Sequence, residues 1–148
     1  MEPAMKILLP IDGSEAALEA VRHALHVVRA GLRASFVLAN VQEPASLYEV
    51  VVAHDAKVIE DVSAAAAAHS LEPAQSLLRA AGVDFETEIA SGDPGHLLVE
   101  IAERFGCELV IMGARGVGAL RSGLFGSVSN SVLHAAKIPV TIVRPQEN

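Results

Sequence analysis

Five short runs of mainly apolar residues recur along the chain, and their recurrence constrains the fold more than any other feature. Residues 5–11, 35–41, 109–112 and 139–143 are apolar nearly throughout, whereas residues 83–90 alternate between apolar and polar side chains. Short runs that are apolar on both faces are typical of strands in a parallel sheet covered by helices. Helix-like segments lie between the runs, so the pattern predicts an α/β protein with a mostly parallel sheet.

Two of the intervening segments carry clear helix signals. Residues 14–30 place apolar side chains three or four positions apart, with Ser14 as the expected N-cap and Gly31 as the stop. A second helix is expected over residues 94–105, directly after the N-cap residue Asp93. Both helices separate predicted strands, as the α/β pattern requires.

The remaining helices are less regular in sequence. A last helix is expected over residues 127–137, before the final strand. The middle segment, residues 42–82, favours a helix around residues 54–69, but Pro73 is expected to kink or interrupt it because proline lacks an amide hydrogen. The sequence therefore leaves open whether this segment forms one helix or two.

Composition favours one globular domain over residues 1–148. A chain of 148 residues, 51% of them apolar, buries roughly 70% of its unfolded surface without disulfides. The formal net charge is -7 and no basic cluster occurs, which argues against nucleic acid as a partner. The same negative charge means that a polyphosphate ligand would have to rely on local backbone amides.

Several features favour a cytoplasmic protein with no membrane partner. Cys107 is the only cysteine, so no disulfide can form within the chain, and we expect this thiol to be buried. No signal-peptide pattern is present at the N-terminus, and no apolar stretch approaches the ~20 residues of a membrane helix. His23 and His26 are spaced to share a metal, but a solvated helix face is the favoured interpretation.

A glycine-rich segment after the fourth predicted strand carries the chemistry of a phosphate site. Gly113 and Gly116 follow the strand, and nine residues later Gly126 and Ser127 begin the last predicted helix. Glycines at a strand end let a ligand approach the backbone, and a helix start exposes amide donors to an anion. Taken singly, these glycines would indicate only a turn and a helix cap.

The spacing resembles the G-x-x-G, nine residues, G-S motif of ATP-binding members of the universal stress protein family. The resemblance extends to K-I-L-L-P-I-D-G-S-E near the N-terminus, S-G-D-P before the third helix, S-V-S-N-S-V after the motif and I-P-V-T-I-V near the end. It covers most of the chain outside residues 42–82. The complete spacing in a strand-to-helix context makes the match specific.

The resemblance implies a three-layer α/β/α sandwich with a five-stranded parallel sheet in the order 3-2-1-4-5, of the adenine nucleotide alpha hydrolase-like type. It also implies that ATP binds across the carboxyl ends of strands 1 and 4, where open sheets place ligands. The residues matched to the family's nucleotide site are Pro10, Ile11, Asp12, Val41, Met112, Gly113, Arg115, Gly116, Gly126, Ser127, Val128 and Ser129.

Within this implied site the residues have different expected roles. The glycine segment and Arg115 would contact phosphate, and the backbone of Val41 would meet the adenine ring. Asp12 would bind either a ribose hydroxyl or a Mg²⁺ or Mn²⁺ ion on the phosphates. The resemblance further implies a homodimer that pairs through the last strand.

The favoured function is nucleotide-responsive regulation by an ATP-binding protein with at most slow hydrolysis. The sequence has no P-loop lysine, no arginine cluster and no evident water-activating residue, so no catalytic residue is predicted. One alternative is an enzyme that acts on an adenylated substrate, although the S-G-G-x-D-S loop of such relatives is absent. The other alternative is a structural dimer that binds no nucleotide.

Overall fold

Parallel strands form a single five-stranded sheet in the residues that the structure describes. The structure is a computed structural model and describes residues 4–43, 56–114 and 126–145, with side chains at 56–61 left out of the description. The strands are β1 (Met5–Pro10), β2 (Ala34–Gln42), β3 (Phe85–Ser91), β4 (Leu109–Gly113) and β5 (Val140–Val143). Their order is β3-β2-β1-β4-β5 and every neighbouring pair is parallel. The predicted fold class and strand order are confirmed.

Helices cover both faces of this sheet. They are α1 (Glu15–Arg29), α2 (Ala56–Ala81), α3 (Pro94–Arg104) and α4 (Ser127–Ala135). One core cluster joins α1 and α2 to one face, and a second joins α3 and α4 to the other. Successive side chains of a strand point to opposite faces, so Leu9 and Leu8 of β1 enter different clusters, and both are fully buried.

The first helix follows its sequence signals closely. The Ser14 hydroxyl oxygen accepts a hydrogen bond from the Ala17 amide at 3.2 Å, as an N-cap should. The helix ends before Gly31, whose φ of +124° lies in the region that favours glycine. Its buried residues recur three or four apart and are mostly alanine, which brings the helix close to the sheet: Ala17, Ala20, Val21, Ala24 and Leu25.

Pro73 does not interrupt the middle helix. Helix α2 runs through this residue without interruption. Pro73 and the carbonyl of His69, four residues earlier, lie on the exposed side of the helix, where water can replace the missing hydrogen bond. Leu71 and Leu78 are fully buried against the sheet, and this packing holds the two halves in one helix.

Two element boundaries also differ from the sequence-based ones. Helix α4 ends at Ala135 rather than at residue 137, and Ala136 is already extended with ψ 138°. Strand β3 begins at Phe85 rather than at residue 83, because Val83 still closes the end of α2 by donating its amide to the Leu78 carbonyl at 3.3 Å. The first residues of the predicted strand therefore belong to the turn that ends α2.

The two edge strands differ in charge. Strand β3 carries Glu86 and Glu88, which pair with Lys6 and Arg104, and charged side chains protect an edge against pairing. Strand β5 reads V-T-I-V and all four residues are half-buried. Pairing of two copies through β5 stays a prediction.

The lone cysteine is buried, as predicted. Cys107 is 6% exposed at the turn between α3 and β4, and burial raises the pKa of its thiol to about 11. The thiol is therefore protonated at neutral pH and a poor nucleophile.

None of the helices in the described part of the chain combines the length and apolar character needed to cross a membrane.

We expect Pro73→Ala to raise the free energy of unfolding by about 1–2 kcal/mol. Proline in a helix interior is ~3 kcal/mol less favourable than alanine, and part of the gain is offset by the greater entropy of the unfolded alanine chain. Urea unfolding followed by circular dichroism measures the change. His69→Ala, also exposed on α2, is the control and should change stability by less than about 0.5 kcal/mol. Equal or lower stability of Pro73→Ala would contradict this account of α2.

Candidate functional site

A pocket opens at the carboxyl ends of the central strands. Strand β1 lies between β2 and β4, and the connection through α1 leaves on one face while α3 and α4 cover the other. The order of strands reverses here, which leaves a crevice at the sheet edge. The crevice holds about 600 Å³ of empty space, counting its open mouth.

Most of the predicted site residues line this pocket. The structure brings together Pro10, Ile11, Asp12, Val41, Met112, Gly113, Val128 and Ser129. Gly126 and Ser127 lie directly before Val128, at the start of α4. Arg115 and Gly116 lie outside the described residues.

Sequence reasoning missed several other lining residues. They come from the first turn of α1, the end of β2 and the start of α3, and they are Ser14, Ala16, Ala17, Ala39, Glu43, Pro94 and Leu98. The strand order alone contains the signal for them, because it brings the starts of α1 and α3 to the carboxyl edge of the sheet.

Three helix N-termini meet at the pocket, and they differ in how their first amides are used. At α1 the Ser14 hydroxyl accepts from the Ala17 amide, and at α3 the Asp93 carboxylate accepts from the His96 amide at 3.0 Å. At α4 the N-cap is Gly126, and within the described part of the chain no side-chain cap bond is made. The first amides of a helix have no intrahelical partner, so the start of α4 is the end best able to bind an anion.

Apolar side chains form the pocket between its polar ends. Ala39, Leu98 and Met112 line it and are at most 5% exposed, and Val41 adds a further apolar contact from the end of β2. A mostly apolar surface with a few polar groups at its margins is typical of small-molecule sites. This part of the pocket suits a flat ring better than a charged group.

Two carboxylates line the pocket at the ends of β1 and β2. They belong to Asp12 and Glu43. Like charges repel an anion, whereas hydroxyl or amino donors and cations are attracted. Carboxylates at these positions therefore favour donors or cations of a ligand, whereas a helix start favours its anionic groups.

The chain entering the Asp12 turn is held by β2. The Ile11 amide donates to the Ala39 carbonyl at 2.8 Å, and the Ile11 carbonyl accepts from Nδ2 of Asn40 at 2.9 Å. Asn40 is 3% exposed, and its Oδ1 has no hydrogen-bond partner among the described residues. An asparagine within an apolar strand run was a usable sequence signal, because a buried amide normally binds backbone.

Gly113 has a packing reason to lack a side chain. A Cβ atom at this position would lie 2.3 Å from the carbonyl oxygen of Ala16, which is far inside van der Waals contact. The end of β4 and the first turn of α1 therefore touch through backbone. Gly113, which was expected to let a ligand approach the backbone, also lets the first turn of α1 pack against the end of β4.

Among the described residues, no third metal ligand joins the paired histidines. The ring centroids of His23 and His26 are 6.4 Å apart on α1. Within residues 4–43, 56–114 and 126–145, no group of three or more histidine, cysteine, aspartate or glutamate side chains is placed to hold a metal ion.

Fold and pocket together define an α/β protein with a crevice at the point where the strand order reverses. A sequence model of the universal stress protein family matches residues 4–144. The chain belongs to the universal stress protein family.

Individual relatives agree with this assignment. The universal stress protein YxiE of Bacillus subtilis is 31% identical over 94% of this chain and 98% of its own length. Among solved structures, the protein MJ0577 superposes with a TM-score of 0.78 at 26% identity, covering 97% of this chain and 98% of that one. A universal stress protein in complex with cAMP superposes with a TM-score of 0.64 at 26% identity, with coverage of 97% and 98%.

The two glycines at the pocket should respond differently to alanine. Gly113→Ala forces a Cβ against the Ala16 carbonyl and should lower the free energy of unfolding by about 2–3 kcal/mol. Gly126 has φ -62°, which alanine adopts freely, so Gly126→Ala should lose less than about 1 kcal/mol. Urea unfolding of both variants tests this order. A Gly113→Ala variant as stable as the original protein would show that the contact is not tight.

Proposed function

We propose that the protein binds an adenine nucleotide, ATP in particular, in this pocket and acts as a nucleotide-responsive regulator. The observation that carries the proposal is the start of α4. Its N-cap residue, Gly126, has no side chain that could bond to the first amides of the helix. Its amides lie beside an apolar pocket wall that suits a purine ring. The cAMP complex of a related universal stress protein supports the ligand class.

The charges of the pocket favour one orientation of the nucleotide. Phosphate would accept hydrogen bonds from the amides of Ser127, Val128 and Ser129, where the helix dipole also attracts it. The base would then lie over Met112, toward the end of β2. The reverse orientation would bring phosphate to the carboxylate of Glu43 after β2, which repels it.

Backbone groups at the end of β2 suit the edge of adenine. The Ile11 amide donates to Ala39, and the Gly92 amide donates to Gln42, so alternate residues of β2 turn their backbone groups toward β1 and β3. By this alternation the amide and carbonyl of Val41 point to the β1 side, beyond the strand's end. One donor and one acceptor side by side match the ring nitrogen and the amino group of adenine.

A divalent cation fits the site only together with phosphate. Mg²⁺ is usually bound by one or two carboxylates and by substrate phosphates, and Asp12 is the lining carboxylate nearest in sequence to the end of β1. The cation would supply charge neutralisation on the phosphates. Asp12 would hold it or a ribose hydroxyl.

Binding is better supported than turnover. Efficient phosphoryl transfer relies on lysine or arginine clamps and on a group that orients water. The described lining residues supply carboxylates and the hydroxyls of Ser14 and Ser129. The Ser14 hydroxyl caps α1, and the Ser129 hydroxyl donates to the Gly113 carbonyl at 3.4 Å. Any hydrolysis is expected to be slow.

Gly126→Val tests the proposed phosphate contact. The branched side chain would stand over the first amides of α4, so affinity for ATP should fall about 10-fold or more, the equivalent of losing at least one charge-assisted hydrogen bond. Isothermal titration calorimetry with ATP, with and without Mg²⁺, measures the change. Gly126→Ala is the matched control and should bind more tightly than the valine variant. Unchanged affinity in Gly126→Val, with both variants folded, would move the site elsewhere.

A further inference from the structure

The ladder of hydrogen bonds between β1 and β2 stops one bond early at the pocket. Pairing of the two strands ends at Pro10 and Ala39, and the Ile11 amide still donates to the Ala39 carbonyl at 2.8 Å. In a regular parallel ladder the Ile11 carbonyl would next accept from the Val41 amide. No such bond joins these two residues in the part of the chain that the structure describes.

A side chain takes the place of the missing backbone donor. Nδ2 of Asn40 donates to the Ile11 carbonyl at 2.9 Å, so this carbonyl is satisfied from β2 without the Val41 amide. The two bonded residues are 29 positions apart in sequence, so the contact is not part of a local turn or a helix cap.

We infer that Asn40 is a positioning residue that keeps the Val41 amide available for the edge of the adenine ring. The inference rests on the proposed function, in which the backbone of Val41 meets adenine. Successive side chains of a strand point to opposite faces, and Val41 lines the pocket, so the Asn40 side chain lies on the other face of β2. Asn40 therefore acts through the Ile11 carbonyl and not by its own contact with the ligand.

The burial of Asn40 argues against a purely structural role. Its side chain is 3% exposed, and its Oδ1 has no hydrogen-bond partner among the described residues. Burying a polar atom without a partner is unfavourable. An apolar side chain would avoid this cost, and the Val41 amide could then bind the Ile11 carbonyl as in any parallel ladder. A local arrangement that sacrifices stability in this way is typical of functional sites.

The position of the free amide fits the proposed contact with the base. Strand β1 ends at Pro10, whereas β2 continues to Gln42, so the β1 side of Val41 faces the pocket beyond the end of the neighbouring strand. Because the Ile11 carbonyl is already bound by Asn40, it does not compete with a ring nitrogen of adenine for the Val41 amide. A base with C–H in place of that nitrogen could not accept the bond.

Analogues of ATP test whether the Val41 amide binds the base. In 1-deaza-ATP and 7-deaza-ATP, C–H replaces one of the two ring nitrogens that flank the amino group. Isothermal titration calorimetry should show that the original protein binds one of the two analogues about 5-fold more weakly than ATP, as expected for one hydrogen bond. Equal affinity for all three nucleotides would overturn the inference.

Asn40→Leu removes the side-chain donor and is similar in shape. The Val41 amide should then pair with the Ile11 carbonyl, so the ratio of affinities between ATP and the weaker analogue should fall below about 2-fold. A merely structural role of Asn40 would weaken the binding of ATP and its analogues alike and leave this ratio unchanged, and that result would overturn the inference.

Gln42→Leu is the matched control on the same face of β2. It also removes a side-chain amide, but this amide donates to the Ser63 carbonyl of α2 at 3.0 Å and not to Ile11. The ratio of affinities should therefore stay at about 5-fold. Loss of the ratio in Gln42→Leu as well as in Asn40→Leu would overturn a specific role of Asn40.

Hydrogen exchange keeps the inference testable if Asn40→Leu does not fold. In the original protein without ligand, the Val41 amide should exchange with solvent much faster than the Ala39 amide, which lies within the paired part of β2. ATP should slow the exchange of Val41. Strong protection of Val41 without ligand would overturn the inference. Failure to bind ATP overturns the proposed function as well, whereas ATP binding without discrimination between the analogues overturns this inference alone.

Discussion

The burial of β1 between β2 and β4 is the constraint on which the rest of the structure depends. Leu8 and Leu9 are fully buried on opposite faces, so both faces of the strand must be covered by helices. The strand order reverses at this point, and the chain leaves the neighbouring strand ends toward opposite layers. The starts of α1, α3 and α4 therefore converge at one edge, and a crevice forms between them.

The helices that begin at this crevice differ in how their first amides are capped. Ser14 and Asp93 use first-turn amides of their own helices, while no side-chain cap bond is made at α4 among the described residues. Asp12 and Glu43, which follow β1 and β2, also line the pocket. A protein with a formal net charge of -7 can in this way offer one local position for an anion, built from backbone donors.

The sequence predicted the parts of the molecule that depend on local pattern. Caps at Ser14 and Asp93 and the buried strand runs were visible because each has a distinctive residue type or period, and the strand order came from the family resemblance. The sequence left open whether Pro73 divides the middle segment into two helices, because tertiary packing, which can override local propensity, decides the outcome. The contact of Gly113 with α1 joins residues far apart in sequence and required coordinates. The same holds for which carbonyl Asn40 binds, although its place in an apolar strand was visible in the sequence.

The most direct test of the central claim is the response of individual backbone amides to ligand in ¹⁵N NMR spectra. Titration with ATP should shift the amide signals of Ser127, Val128 and Ser129 strongly, and adenosine, which lacks phosphate, should shift them much less. Signals at the end of β2, including Val41, should respond to both ligands. Phosphate-dependent shifts centred on the first turn of α1, with α4 unaffected, would contradict the account.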